Sequence, residues 1–170
     1  MKKFLALVLA LAMLLCATSA FADGIKLGQV DYAAHGTSCF AVLTVAVDGD
    51  TIVAALIDEF QFMDAATAVG VPNSEASFGA NFPEGKVLAS KRVNNELYSN
   101  NMSTKAGATV ALADSYAAIE AFVTGMTIAD LEAAIAGKTA EEMVDAVSGC
   151  TLVDTLGYLT GLLEAAKLAK

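Results

Sequence analysis

Tryptophan is absent from this 170-residue chain, and the chain has only one histidine, two prolines and three cysteines. The single histidine, His35, excludes a metal site built on two histidines of one chain. Basic residues are also few: ten lysines and arginines stand against nineteen aspartates and glutamates, and the net charge is −9. An acidic chain without a basic stripe repels nucleic acid and anionic membrane surfaces. We therefore expect no nucleic-acid partner.

A short apolar run occupies the N-terminus. Two lysines precede the apolar residues 4–15, and Ala-Phe-Ala at 20–22 has the small-x-small pattern of a signal cleavage site. The run is too short to span a bilayer, which takes about 20 apolar residues. We predict a signal peptide over residues 1–22, a mature domain over residues 23–170 and a secreted or extracytoplasmic location. We expect no transmembrane span after cleavage, which removes two lysines and leaves a net charge of −11.

The three cysteines raise two separate questions. Cys16 lies inside the predicted signal, where it is the alternative point of attachment for a lipid anchor, but a leucine directly before it fits that motif poorly. Cys39 and Cys150 remain in the mature chain. An exported protein with two cysteines forms one disulfide or keeps two buried thiols, and the sequence leaves both alternatives open.

The safest local prediction is a β-hairpin. Residues 39–47 and 51–62 are rich in β-branched and aromatic residues, and Asp48-Gly49-Asp50 between them is a turn sequence. Residues 86–90 predict a further short strand.

The strand before the hairpin is predicted over residues 25–32, where apolar and polar residues alternate. The phase of that alternation slips by one residue at Gly28. The slip indicates a β-bulge at this glycine or a strand that begins only near Gln29.

Helix signals fill the second half of the chain. Residues 91–102 predict a surface helix or an ordered loop, and capping residues followed by helical apolar spacing predict four more helices. The predicted starts are Asp114, Thr127 with Asp130, Thr139 with Glu142, and about Leu152. Strands followed by helices indicate an α+β domain, with an N-terminal antiparallel hairpin or sheet packed against several C-terminal helices.

One short segment before the last predicted helix carries most of the functional information. It reads Asp145-Ala-Val-Ser148-Gly149-Cys150-Thr151 and combines a carboxylate, a Ser-Gly turn and a hydroxyl. A hydroxyl at a helix N-terminus lies where backbone N–H groups and the helix dipole favour an anion such as phosphate. The alternative is structural: Ser148-Gly149 ends one helix and Thr151 caps the next.

This segment resembles the flavin-attachment motif of the FMN-binding domain family, Asp-x-x-Ser/Thr-Gly-Ala-Thr. Cys150 stands where the family usually has alanine. The hairpin of residues 39–57 and the segment 90–102 are also similar to exported members of that family, so the resemblance covers most of the mature chain. Only the short motif is specific.

The resemblance implies a concrete chemistry. In that family a separate flavin transferase cleaves FAD and joins FMN through its phosphate to the last threonine of the motif. By this mapping Thr151 is the acceptor, Asp145 and Ser148 are read by the transferase, and Gly149 forms the turn that exposes the hydroxyl. The implied function is an exported electron-transfer protein carrying FMN, a redox carrier more than a stand-alone enzyme. It would take electrons from a membrane-bound donor and pass them to an unknown acceptor.

A near-copy of the motif occurs at Gly107-Ala108-Thr109. It lacks the aspartate, since Ser103 stands six residues before the threonine, and it lacks the serine, since Ala106 stands three residues before it. We therefore predict that Thr109 is not the acceptor. This segment more simply ends a loop before the next apolar run.

Five further side chains are candidate contacts of a flavin. Lys91 and Arg92 are suited to a phosphate, and Phe60, Phe62 and Tyr98 to stacking on the ring. Aromatic residues at strand spacing are more often core residues.

Two competing functions remain. The main alternative is a flavin-free exported binding or interaction module of the same fold. A hydrolase using Ser148 or a cysteine is weaker, because no Gly-x-Ser-x-Gly elbow surrounds Ser148 and no motif pairs His35 with a nucleophile. We expect His35 to be a surface-loop residue and no metal site to be present.

Overall fold

The computed structural model describes residues 24–36 and 38–170. The predicted signal peptide and Cys16 lie outside the described residues. The strands are β1 (Lys26–Tyr32), β2 (Cys39–Asp48), β3 (Thr51–Asp64) and β4 (Lys86–Ser90). The helices are α1 (Asn95–Ala106), α2 (Leu112–Val123), α3 (Ile128–Ile135), α4 (Ala140–Ala146) and α5 (Thr155–Lys167), with a short 3-10 helix at Gly79–Asn81.

The four strands form one antiparallel sheet in the order β1-β2-β3-β4. Helices α2 and α5 pack on one face of this sheet. The α+β class is thereby confirmed, with the sheet in the first half of the chain and helices in the second. The predicted β2–β3 hairpin is also confirmed, and Gly49 in its turn has φ +63°, a conformation that favours glycine.

Both alternatives predicted for Gly28 are wrong, because β1 begins at Lys26 and no bulge interrupts its pairing with β2. Strands β1 and β2 pair without interruption from Lys26 opposite Val47 to Tyr32 opposite Ala41. The shift in register lies instead between β2 and β3, at Ala46 and Val47. Gly28 is required for helix packing, because a Cβ there would lie 1.8 Å from the carbonyl oxygen of Ala165 in α5.

The core lies between the sheet and the helices. Alternate residues of β2 and β3 point into it, and the inner faces of α2 and α5 complete it. Fully buried members include Leu43, Ile52, Ile57, Ile119, Leu159 and Leu162. This packing holds α5 against β1 and β2 and fixes where the chain enters that helix.

The helix-start predictions have mixed outcomes. Both capping boxes are confirmed, at Thr127 with Asp130 and at Thr139 with Glu142. The predicted cap at Asp114 is wrong. Helix α2 begins earlier, at Leu112, and Asp114 lies in its first turn. Residues 95–106 are a helix, which settles the alternative left open for that segment.

Candidate functional site

A cavity of about 710 Å³ opens beside the sheet and next to α1. Its volume lies within the range of about 300–1,000 Å³ that is typical of small-molecule sites. Its lining comes from the second half of β3, the start of β4 and the residue after it, helix α1, the loop after β1, and the segments that lead into α2 and α5. The lining residues used below are His35, Glu59, Phe62, Lys86, Lys91, Tyr98, Lys105, Thr109, Thr151, Asp154 and Tyr158.

The predicted motif is divided between the cavity and the outer surface. Thr151 is exposed and lines the cavity. Asp145, on the last turn of α4, and Ser148 are exposed but do not line it. Gly149 has φ +87°, so the predicted turn is a left-handed one that favours glycine.

Thr151 does not cap the following helix. Helix α5 begins at Thr155, its N-cap residue is Asp154, and the predicted start near Leu152 is therefore wrong by three residues. The difference has a local cause: Thr155 donates its hydroxyl to the Leu152 carbonyl oxygen at 2.6 Å, and this turn delays the helix. Thr151 therefore lies four residues before the first residue of α5, so the expectation that its hydroxyl lies at a helix N-terminus, where the dipole favours phosphate, is wrong.

A buried ion pair forms the floor of the cavity. Glu59 is 0% exposed and Lys91 is 1% exposed, and the Lys91 ammonium donates to Glu59 Oε2. The same oxygen accepts the hydroxyls of Tyr158 at 2.9 Å and Tyr116 at 3.2 Å. The Cys39 thiol donates to Glu59 Oε1 at 3.3 Å. We call these five residues the floor cluster.

Burial and the Glu59 charge shift the ionisation of the floor cluster. Burial raises the pKa of Tyr116 and of Tyr158 far above the usual range, and the Glu59 charge adds to both shifts. Burial and Glu59 also raise the pKa of the Cys39 thiol to about 11. Burial alone would lower the pKa of Lys91, but the hydrogen bond and charge of Glu59 outweigh it and raise that pKa. At pH 7 Lys91 is therefore protonated, and the Cys39 thiol and the hydroxyls of Tyr116 and Tyr158 are neutral.

No motif in the sequence connects the residues of the floor cluster, but the position of Glu59 in its strand indicates that this carboxylate is buried. Glu59 falls in phase with Ile57 and Met63, which point inward from β3. A carboxylate in the inward phase of a strand needs a buried partner. Its partner is Lys91, for which the sequence predicts phosphate binding.

Exposed charges line the cavity above this floor. His35 Nδ1 lies 2.5 Å from Asp154 Oδ2, so the histidine is a loop residue, as expected, but has a carboxylate partner. Lys86 and Lys105 are exposed and form no ion pair with any described residue. These two lysines supply positive charge for an anionic group.

The predicted flavin contacts separate into two groups. Lys91, Phe62 and Tyr98 line the cavity, and the Lys91 ammonium lies 4.7 Å from the centre of the Tyr98 ring. Arg92 and Phe60 are not among its lining residues. Arg92 pairs with Glu120 at 2.5 Å and donates to the Ile57 carbonyl oxygen, and Phe60 stacks on Phe40.

Both described cysteines are free thiols. Cys39 contacts Glu59, whereas Cys150 is buried and its sulfur lies 3.2 Å from Thr155 Oγ1. The disulfide alternative is therefore not the one observed. The Cys150 sulfur also accepts the backbone N–H of Leu152 at 3.4 Å, so this departure from the motif is part of the turn that precedes α5.

Within residues 24–36 and 38–170, no helix has the length and apolar character needed to cross a bilayer. The same part of the chain holds no group of three or more histidine, cysteine, aspartate or glutamate side chains suited to a metal ion. Comparisons with family models, curated proteins and solved structures found no match to this chain.

Proposed function

We propose that this chain is an exported FMN-binding electron-transfer protein whose FMN is joined to Thr151 by a separate flavin transferase. The observation that carries the proposal is the position of Thr151. It is an exposed hydroxyl that lines a cavity of about 710 Å³, at the end of a segment resembling a flavin-attachment motif. A cofactor tethered there has an adjacent space to occupy.

The cavity suits FMN in three respects. Its volume is that of a cofactor site. Tyr98 and Phe62 place aromatic side chains in the lining next to a flat ring, and Lys86 and Lys105 offer positive charge for a phosphate. The Lys91 ammonium at the floor adds a buried donor, which a ring bearing carbonyl oxygens can use.

The two halves of the motif have different tasks in this proposal. Asp145 and Ser148 lie outside the cavity lining, where another protein can reach them. Thr151 supplies its hydroxyl oxygen to the phosphorus of the FMN half of FAD, the pyrophosphate bond breaks, and AMP leaves. The hydroxyl proton passes to a base of the transferase, since a neutral hydroxyl is a poor nucleophile.

FMN, when bound, supplies one- and two-electron transfer. The chain itself holds the group at Thr151, encloses part of it in the cavity and presents an acidic surface to its partners. A mature net charge of −11 favours a membrane-bound donor and an acceptor with basic docking surfaces.

Intact mass tests this function. The chain is produced together with a flavin transferase, and its mass is compared with that of the Thr151→Ala and Thr109→Ala variants. We expect an FMN-sized increment and a visible flavin chromophore that stays with the chain on denaturation. Thr151→Ala should lose both and Thr109→Ala should keep both.

An unmodified wild-type chain would contradict covalent attachment. A colour lost on denaturation would indicate FMN held without a bond. A chain that neither gains mass nor retains added FMN would favour the flavin-free interaction module.

A further inference from the structure

The ion pair at the cavity floor is costly and is not needed to hold the strands together. Each buried charge loses its solvation, and its partner must compensate that loss. The backbone already connects the two segments here, because the Lys91 N–H donates to the Glu59 carbonyl oxygen at 2.7 Å. Both residues are among those that line the cavity although they are 0% and 1% exposed, and buried charges at such a place indicate a binding role.

The unused hydrogen-bonding capacity of the floor belongs to Lys91. Glu59 accepts from Lys91, Tyr116 and Tyr158 at one oxygen and from the Cys39 thiol at the other. An ammonium group has three donors, and that of Lys91 makes this one hydrogen bond to the described residues. The Lys91 side chain is 2% exposed and its ammonium lies 4.7 Å from the centre of the Tyr98 ring, so a molecule in the cavity reaches the remaining donors next to Tyr98.

We propose that Lys91, positioned by Glu59, donates to the electron-rich carbonyl edge of the flavin ring and sets its reduction potential. This inference rests on the proposed function. The oxidised ring takes up two electrons and one proton and becomes an anion. A fixed positive charge beside the ring stabilises that anion more than it stabilises the neutral oxidised form. Lys91 therefore raises the potential, and Glu59 moderates that effect.

The test is a reductive titration of the flavin-loaded chain with dithionite and reference dyes. The variants are Lys91→Met, Lys91→Arg and Glu59→Gln, and the control is Lys138→Met, which removes an exposed lysine that does not line the cavity. Lys91→Met should lower the reduced-to-oxidised equilibrium constant at least tenfold, about 30 mV for a two-electron couple. Glu59→Gln should shift it in the opposite direction, and Lys91→Arg and Lys138→Met should stay near wild type.

Shifts of opposite sign support the inference, because a merely structural role would move both variants alike. Equal potentials in all loaded variants, or shifts of one sign, would overturn it while leaving flavin attachment intact. A wild-type chain without the mass increment would overturn the proposed function and this inference together. If Lys91→Met does not fold, Glu59→Gln decides alone, and an unchanged or lowered potential would overturn the inference.

Discussion

Two junctions between helices border the same cavity, and they are more alike than their sequences suggest. One contains Gly107 and Thr109 and leads into α2, and the other contains Gly149 and Thr151 and leads into α5. Both glycines have positive φ, at +68° and +87°, and both threonines are exposed and line the cavity.

The likeness continues into the helices that follow. A tyrosine stands seven residues after each threonine, Tyr116 after the first and Tyr158 after the second, and both hydroxyls donate to Glu59. The positive φ of the glycine and the proximity to the cavity therefore do not separate the two threonines. Asp145 and Ser148 do, because the first junction has Ser103 and Ala106 at the matching positions.

The largest expected effect is on the rate of flavin attachment, and it comes from replacing Asp145 or Ser148. Asp145→Asn and Ser148→Ala should each lower the rate of flavin attachment at least about tenfold, since a lost hydrogen bond to a charged group costs about 1.5–3 kcal/mol. Stability should stay within about 0.5 kcal/mol, because both side chains are exposed. Attachment is followed by intact mass over time. The matched controls are Asp114→Asn and Ser103→Ala, and normal attachment in both motif variants would contradict the assignment.

The second-largest expected effect is flavin attachment at Thr109, after the motif is completed at the junction that leads into α2. Ser103→Asp and Ala106→Ser, introduced together with Thr151→Ala, give the first junction the full Asp-x-x-Ser-Gly-Ala-Thr pattern. We expect attachment at Thr109, at a level below wild type because positions 103 and 106 lie in the last turn of α1. Thr151→Ala alone is the control. A complete lack of flavin would show that the position of the glycine relative to the helix end also matters.

The two tyrosines should differ in their effect on stability. Tyr158→Phe should lower the free energy of unfolding by about 1.5–3 kcal/mol, because it removes a donor from a buried carboxylate. Tyr116→Phe should cost less, since its hydrogen bond to Glu59 is longer, 3.2 Å against 2.9 Å. Urea denaturation measures both. Tyr32→Phe is the control. An equal loss of unfolding free energy in all three variants would contradict the claim that Glu59 is stabilised by the two tyrosine hydroxyls.

Alkaline pH should act on the same pair. The folded chain holds the pKa of Tyr116 and Tyr158 above the ordinary value of 10.0, so both stay protonated when the unfolded chain loses these protons. The contribution of the two tyrosines is therefore fully present below pH 10 and is lost above it, by at most about 1.4 kcal/mol per pH unit for each tyrosine, and the raised pKa of Cys39 adds a further loss that begins above pH 9.0. Urea melts from pH 8 to 11 should show a shallower fall in the Tyr116→Phe, Tyr158→Phe double variant. If the free energy of unfolding of the double variant falls with pH as steeply as that of the wild type, burial does not raise the pKa of the two tyrosines as described.

Cys150→Ala should have the smallest effect. It restores the alanine of the family motif, so attachment at Thr151 should stay at the wild-type level. Stability should fall by about 1 kcal/mol, because the substitution removes the sulfur contacts with Thr155 and with the Leu152 N–H. Intact mass and urea denaturation measure the two quantities. Faster attachment in this variant would show that Cys150 hinders recognition.

Local patterns predicted the parts of the fold that local interactions determine. The hairpin around Gly49 and the boxes at Thr127 and Thr139 depend on residues within a few positions of each other, and all are confirmed. Gly28 was misread because its constraint comes from α5, more than 130 residues away, a distance in sequence over which periodicity carries no information.

The candidate site was predictable only in part for the same reason. Thr151 was found because its motif is contiguous. The floor cluster was not found, because Glu59 and Lys91 are separated by the long segment between β3 and β4 and meet their tyrosines only in the folded chain. The fold also brings Thr109 and Thr151 to one cavity, which the sequence does not predict.

Peptide mapping tests the central claim most directly. Trypsin cuts after Lys105, Lys138 and Lys167 and so separates the two junctions into the peptides 106–138, with Thr109, and 139–167, with Thr151. For a chain produced with a flavin transferase, we predict that the FMN-sized increment and the flavin fluorescence lie in peptide 139–167 alone, with fragmentation placing them on Thr151. Flavin in peptide 106–138, or in neither peptide, would contradict the account.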